Sequence, residues 1–150
     1  MNNIIFLDID GVLNNYSLIG EFGLDYIDNG MVKILKYIVE NTNSRIVISS
    51  TWRLKYDDLM MVKSNLFLEN LSYIDCTSFL PNNERCDEIE NWLYKNIDNY
   101  DNFIILDDDP DASGEKFSKH FFQTDPEVGL TYEIAKKAVG FLNLDLQREC

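Results

Sequence analysis

No run of residues in this sequence approaches the ~20 apolar positions that a membrane-spanning helix needs. Basic residues are scarce as well. Lysine and arginine total 13 against 26 aspartates and glutamates, a net charge of −13. Such a surface repels nucleic acid and anionic membranes, so stable nucleic-acid binding and membrane association are not expected. A small anionic substrate stays admissible, because one bound cation inverts the local field. Cysteine is sparse: Cys76, Cys86 and Cys150 are widely spaced and form no Cys-x-x-Cys pair. That argues against a zinc site or a disulfide framework, and for reduced thiols in the cytoplasm. The apolar start is interrupted by Asp8 and has no basic leader, so it does not read as a signal peptide. No repeat, low-complexity tract or linker interrupts the 150 residues, and 1–150 reads as a single domain with one sizeable core.

What is present is an alternation of short apolar runs and helical patterns. Ile4 to Leu7, Arg45 to Ile48 and Phe103 to Leu106 read as buried strands, with weaker candidates at Tyr73 to Cys76 and His120 to Thr124. Helical spacing links Met31, Val32, Leu35 and Ile38, capped by Asp28 or Asn29. It also links Leu59, Val62, Leu66 and Phe67. A third set is Ile89, Trp92, Leu93 and Ile97; a fourth is Ile134, Ala135, Ala138 and Leu142 behind a Thr131 cap. The glycine- and asparagine-rich stretch from Asn14 to Asp28 reads as a turn or short hairpin flap. Strands and helices in this rhythm predict an α/β, three-layer, Rossmann-like fold around a central, mainly parallel five-stranded sheet.

The first strand stops at Asp8-Ile9-Asp10-Gly11. In an extended backbone, i and i+2 carboxylates point to the same side, and Gly11 turns the chain without steric cost. Carboxylates crowded at the C-terminal tip of a central strand call for a cation or a shared proton. A calcium loop does not fit, because glycine comes at the fourth position rather than the sixth. The second strand ends in Ser49-Ser50, the fourth in Asp107-Asp108, and Arg85 opens the helix before it. This mixture suits magnesium-assisted phosphoryl transfer. Mg²⁺ takes oxygen ligands. A carboxylate is a competent nucleophile, and a second one serves as acid and base. Serine and arginine suit phosphoryl oxygens.

Asp8-x-Asp10-Gly11-Val12, Ser49, Arg85 and Asp107-Asp108 together resemble the haloacid-dehalogenase (HAD) superfamily of aspartate-nucleophile phosphatases. Ile48 to Arg53, Arg85-x-x-Glu88-Ile89-x-x-Trp92-Leu93 and Gln123 to Thr131 are similar to one subgroup, a small domain found alone or fused to predicted RNA-repair modules. The resemblance implies a Mg²⁺-dependent phosphomonoester hydrolase. Asp8 is then nucleophile and metal ligand, and Asp10 is acid/base and a main-chain metal ligand. Ser49 and Arg85 bind the phosphoryl group with the amides near Gly11 and Ser50, and Asp108 completes the metal site, with Asp107 in competition for that place. A polynucleotide-end phosphatase and a non-catalytic interaction domain on the same fold are the alternatives.

Several residues keep structural readings. Arg85 has Asp87 and Glu88 as alternative partners, Arg53 is a rival phosphate ligand or a structural ion-pair partner, and Trp52 and Trp92 read as packing. Asp109 and Asp111 read as solvated or outer groups, and His120 as a strand residue. Neither gap between the motifs holds a full cap domain, so the site is expected to be open. An open site suits the phosphorylated end of a large molecule. It also suits a homo-oligomer whose second subunit supplies the lid.

Overall fold

Five strands form one sheet: β1 (Asn3–Leu7), β2 (Ser44–Ile48), β3 (Tyr73–Cys76), β4 (Asn102–Asp107) and β5 (Phe121–Gln123). Their order is β3-β2-β1-β4-β5, and every neighbouring pair runs parallel. The computed structural model describes residues 2–148, with side chains described up to residue 144. Cys150 therefore lies outside the described residues.

All five residues of β1 are buried, as a central strand covered on both faces requires. Alternation along it divides the core. Ile5 and Leu7 pack with α2 (Asn29–Thr42), α3 (Tyr56–Phe67) and α5 (Tyr132–Arg148), while Ile4 and Phe6 pack with α4 (Arg85–Lys95). Helices cover both faces, giving three layers. The order of connections reverses between β1 and β4, so their C-terminal ends border the crevice where open α/β sheets bind ligands.

Helix starts follow the side chains. Asp28 accepts from the Met31 N–H and starts α2, and Thr131 Oγ1 accepts from Ile134 N–H at the start of α5. Glu84 and Asp87 form a reciprocal capping box on α4.

Three sequence expectations need correction. The stretch after β1 is a seven-residue helix, α1 (Tyr16–Phe22), rather than a hairpin. The polar residues that resembled turn signals are its boundaries: Asn15 caps it through the Leu18 N–H, and Gly23 ends it at φ +108°. Ile97 does not face the core, because α4 stops at Lys95 and leaves it 64% exposed. Phe67 lies about 100° around α3 from the buried Leu66 and is 75% exposed.

Among the described residues, no full cap domain follows β1. His120 sits just before β5, with its ring stacked on Phe103 and Nδ1 2.8 Å from the Phe103 carbonyl. Among the described residues, Cys76 and Cys86 are free thiols, and no helix is long and apolar enough to cross a membrane.

Candidate active site

The sheet continues hydrogen bonding one residue beyond the strand tips. Asp8 N–H donates to the Leu106 carbonyl, Ser49 N–H to that of Leu7 and Thr77 N–H to that of Ile48. Thr77, Ser49, Asp8 and Asp107 therefore stand side by side at the crevice. Leu7, Ile48 and Leu106 point into the α2/α5 core. Their successors consequently turn to the opposite face, which α4 covers.

Arg85 is the first residue of α4, and it meets this row. Its guanidinium lies 2.6 Å from Asp107 Oδ2 and 3.3 Å from Asp8 Oδ1. The two partners anticipated for it are taken elsewhere: Asp87 pairs with Lys116, and Glu88 with Arg53. Burial opposes the Arg85 charge, but Asp8 and Asp107 more than offset this and hold the group protonated.

Asp8, Asp107 and Asp108 each place a carboxylate oxygen within 4.8 Å of the others. Burial first, and then the charge of Asp107, push the Asp8 carboxyl well above its ordinary value; Arg85 pulls it partly back. Asp108 is raised as well, by burial and then by its contact with Asp107. A cluster of oxygen donors with surplus negative charge fits a hard divalent cation. Asp107 is the most tied of the three, with Oδ2 on Arg85 and Oδ1 accepting from the Asp109 N–H.

Ser49 is fully buried and its Oγ has no hydrogen-bond partner; the Thr77 Oγ1 beside it is in the same condition. An orphaned buried hydroxyl is costly, and each one calls for an explanation such as a ligand.

Asp10 stands at the exposed rim of the crevice. Its Oδ2 accepts from the indole Nε1–H of the buried Trp52 and its Oδ1 from the Asn14 amide, both at 3.0 Å. Trp52 is thus more than packing. Gly11 adopts φ +77°, and a Cβ there would lie 2.7 Å from Asp108 Oδ2. Only glycine gives both the left-handed turn and room for that carboxylate. The Gly11 N–H donates to Asn14 Oδ1 at 2.8 Å. The Ser50 hydroxyl accepts from the Trp52 N–H in the 3₁₀ turn of residues 51–54.

The Arg53 guanidinium has structural partners: it donates to the carbonyls of Thr77, Ser49 and Ser50 and to Glu88 at 2.9 Å, so it clamps the tips of β2 and β3 to α4. Trp92 packs in the α4-side core and donates to Asp75, and Asp109 and Asp111 are exposed.

The chain from Thr124 to Leu130 straps the first loop. Thr124 Oγ1 donates to the Gly11 carbonyl, Leu130 N–H to that of Val12, and Tyr16 N–H to that of Pro126. Sequence reasoning missed Asn14, Thr77 and the strapping role of Thr124. The available signals were polar residues one step past a strand tip or within a tight turn.

The family model described as "HAD domain in Swiss Army Knife RNA repair proteins" matches residues 4–135. No curated protein and no solved structure gives a significant match.

Proposed function

Because this chain belongs to the family of the HAD domain in Swiss Army Knife RNA repair proteins, we propose that it is a Mg²⁺-dependent phosphomonoester hydrolase working through an aspartyl-phosphate on Asp8. The observation that carries this reading is the Ser49 hydroxyl, buried without a partner beside the Asp8 carboxylate, as a donor awaiting an anion.

Asp8 Oδ attacks phosphorus, and the bond from phosphorus to the ester oxygen breaks. Asp10 gives its proton to that leaving oxygen. The same Asp10 carboxylate then takes a proton from water, which attacks the phosphorus of the aspartyl-phosphate and releases inorganic phosphate and Asp8. Trp52 and Asn14 fix the Asp10 carboxylate for both transfers. Ser49 donates to a phosphoryl oxygen, and Arg85 adds a positive charge on the opposite side of Asp8. Asp8 and Asp108, with the Asp10 main-chain carbonyl, would hold Mg²⁺, while Asp107 orients Arg85 and supports the cluster. When bound, the ion would supply positive charge against the phosphoryl oxygens and the clustered carboxylates.

A second reading, phosphatase action on polynucleotide ends, draws support from the family's printed description. The net charge of −13 opposes it unless a basic partner supplies affinity.

The deciding measurement is turnover of an aryl phosphate by the wild-type protein with Mg²⁺, with EDTA, and by Asp8→Asn. Activity is expected only in the first case. Turnover that persists in Asp8→Asn refutes covalent catalysis at that residue. No turnover under any condition favours a non-catalytic domain.

A further inference from the structure

Two grooves flank the turn of residues 51–54 at the rim of the site. The one of about 360 Å³ lies on the Arg85 side. The other, about 640 Å³, runs between α1 and the start of α3, and Asp10 lines it. Resting on the phosphatase reading above, we propose that the second groove receives the leaving group, and that it selects monoesters of an uncharged alcohol built on a ring.

Cleavage leaves an alkoxide or phenoxide that must meet its acid, so the departing group lies on the Asp10 side of phosphorus. Asp10 lines the 640 Å³ groove and is absent from the lining of the other.

Tyr16 and Leu24 on the α1 side line the groove together with Trp52 and Leu54. Tyr16 is 62% exposed, Leu24 80% and Leu54 51%, so their apolar surface has no cover from the chain itself. A flat apolar body fills such a slot and removes that surface from water.

Asp25 and Asp58 join Asp10 on the lining, against Lys55 alone. A leaving group that carries a further phosphate or sulfonate meets net repulsion there, whereas a neutral ring does not.

The experiment compares three esters with related aromatic leaving groups, each with Mg²⁺: phenyl phosphate, 2-naphthyl phosphate, and 2-naphthyl phosphate sulfonated on its far ring. The second ring is expected to raise kcat/KM about tenfold, and the sulfonate to lower it by a similar factor. Tyr16→Ala with Leu24→Ala should bring the naphthyl-to-phenyl ratio close to one, and Asp25→Asn with Asp58→Asn should relax discrimination against the sulfonate. All four side chains lie on the groove wall and outside the buried core, so the variants fold. Equal kcat/KM for phenyl and naphthyl esters, or preference for the sulfonated one, overturns this inference and leaves the phosphatase reading standing. No turnover of any of the three removes both.

Discussion

Replacing Asp108 by asparagine tests whether the acidic cluster is a metal site. In metal-free protein, Asp8, Asp107 and Asp108 crowd three carboxylates within 4.8 Å, with Arg85 as the cationic contact among the described residues. At that separation each like-charge pair costs about 3 kcal/mol at an effective dielectric of about 20. Arg85 screens part of this, and Asp108 is partly exposed, so removing its charge should return about 1–2 kcal/mol. For a chain of this length, that raises Tm by about 3–6 °C.

The sign depends on pH. The Asp8 and Asp108 carboxyls are held above their ordinary value, so the folded protein keeps protons that the unfolded chain has lost. Stability of the metal-free wild type therefore falls as pH rises through the window from the ordinary aspartate value to the raised one. The variant lacks part of this loss. The gap between the two should accordingly be small in acid and full at pH 8. Mg²⁺ reverses the order, because binding at 100 times the dissociation constant stabilises the wild type by about 2.7 kcal/mol, and the variant lacks a ligand. The assay is thermal denaturation in EDTA and in Mg²⁺ across pH 5–8. A variant that melts below wild type in EDTA at pH 8 refutes the reasoning, and so does an equal response of both proteins to Mg²⁺.

Three other perturbations probe the surroundings. Gly11→Ala forces a Cβ against Asp108 at a left-handed backbone position; about 1–3 kcal/mol of stability should be lost in urea melts, and Mg²⁺ affinity should weaken in the same protein. Trp52→Phe keeps an aromatic ring in the core but removes the N–H that holds Asp10 Oδ2. Turnover of alkyl phosphates should fall about tenfold, while p-nitrophenyl phosphate, whose leaving group needs little protonation, should hardly change. Arg53→Met leaves Glu88 charged and buried and frees three carbonyls. A loss of about 3–5 kcal/mol is expected on denaturant unfolding, against well under 1 kcal/mol for the exposed Lys137→Met.

The strand tips were readable from sequence because each apolar run stops at a polar residue. Parallel strands connected through helices bring all those stops to one edge. Asp8, Ser49 and Asp107 thus needed no knowledge of tertiary contacts to be placed together. Register does the finer work: Leu7 opposite Ile48 and Leu106 puts their successors on one face. The choice among partners was not readable. Arg85, Asp87 and Glu88 lie within one helical turn, and only packing sends them to Asp107, Lys116 and Arg53 respectively. The α1 helix was hidden because seven residues are too few to display a 3.6-residue period. Its cap and its terminal glycine carry the same composition as a hairpin turn. Asn14 and Trp52 were hidden for another reason. An amide four residues after an aspartate, or an indole 42 residues away from it, carries no sign of whether it turns inward, and what turns these two inward is the strap from Thr124 to Leu130 against the first loop and the packing of Trp52 in the α2-side core. The geometry of Asp10 is therefore set by the far end of the chain. Loosening that strap, for instance with Thr124→Val, should disturb the acid/base group before it disturbs the carboxylate cluster.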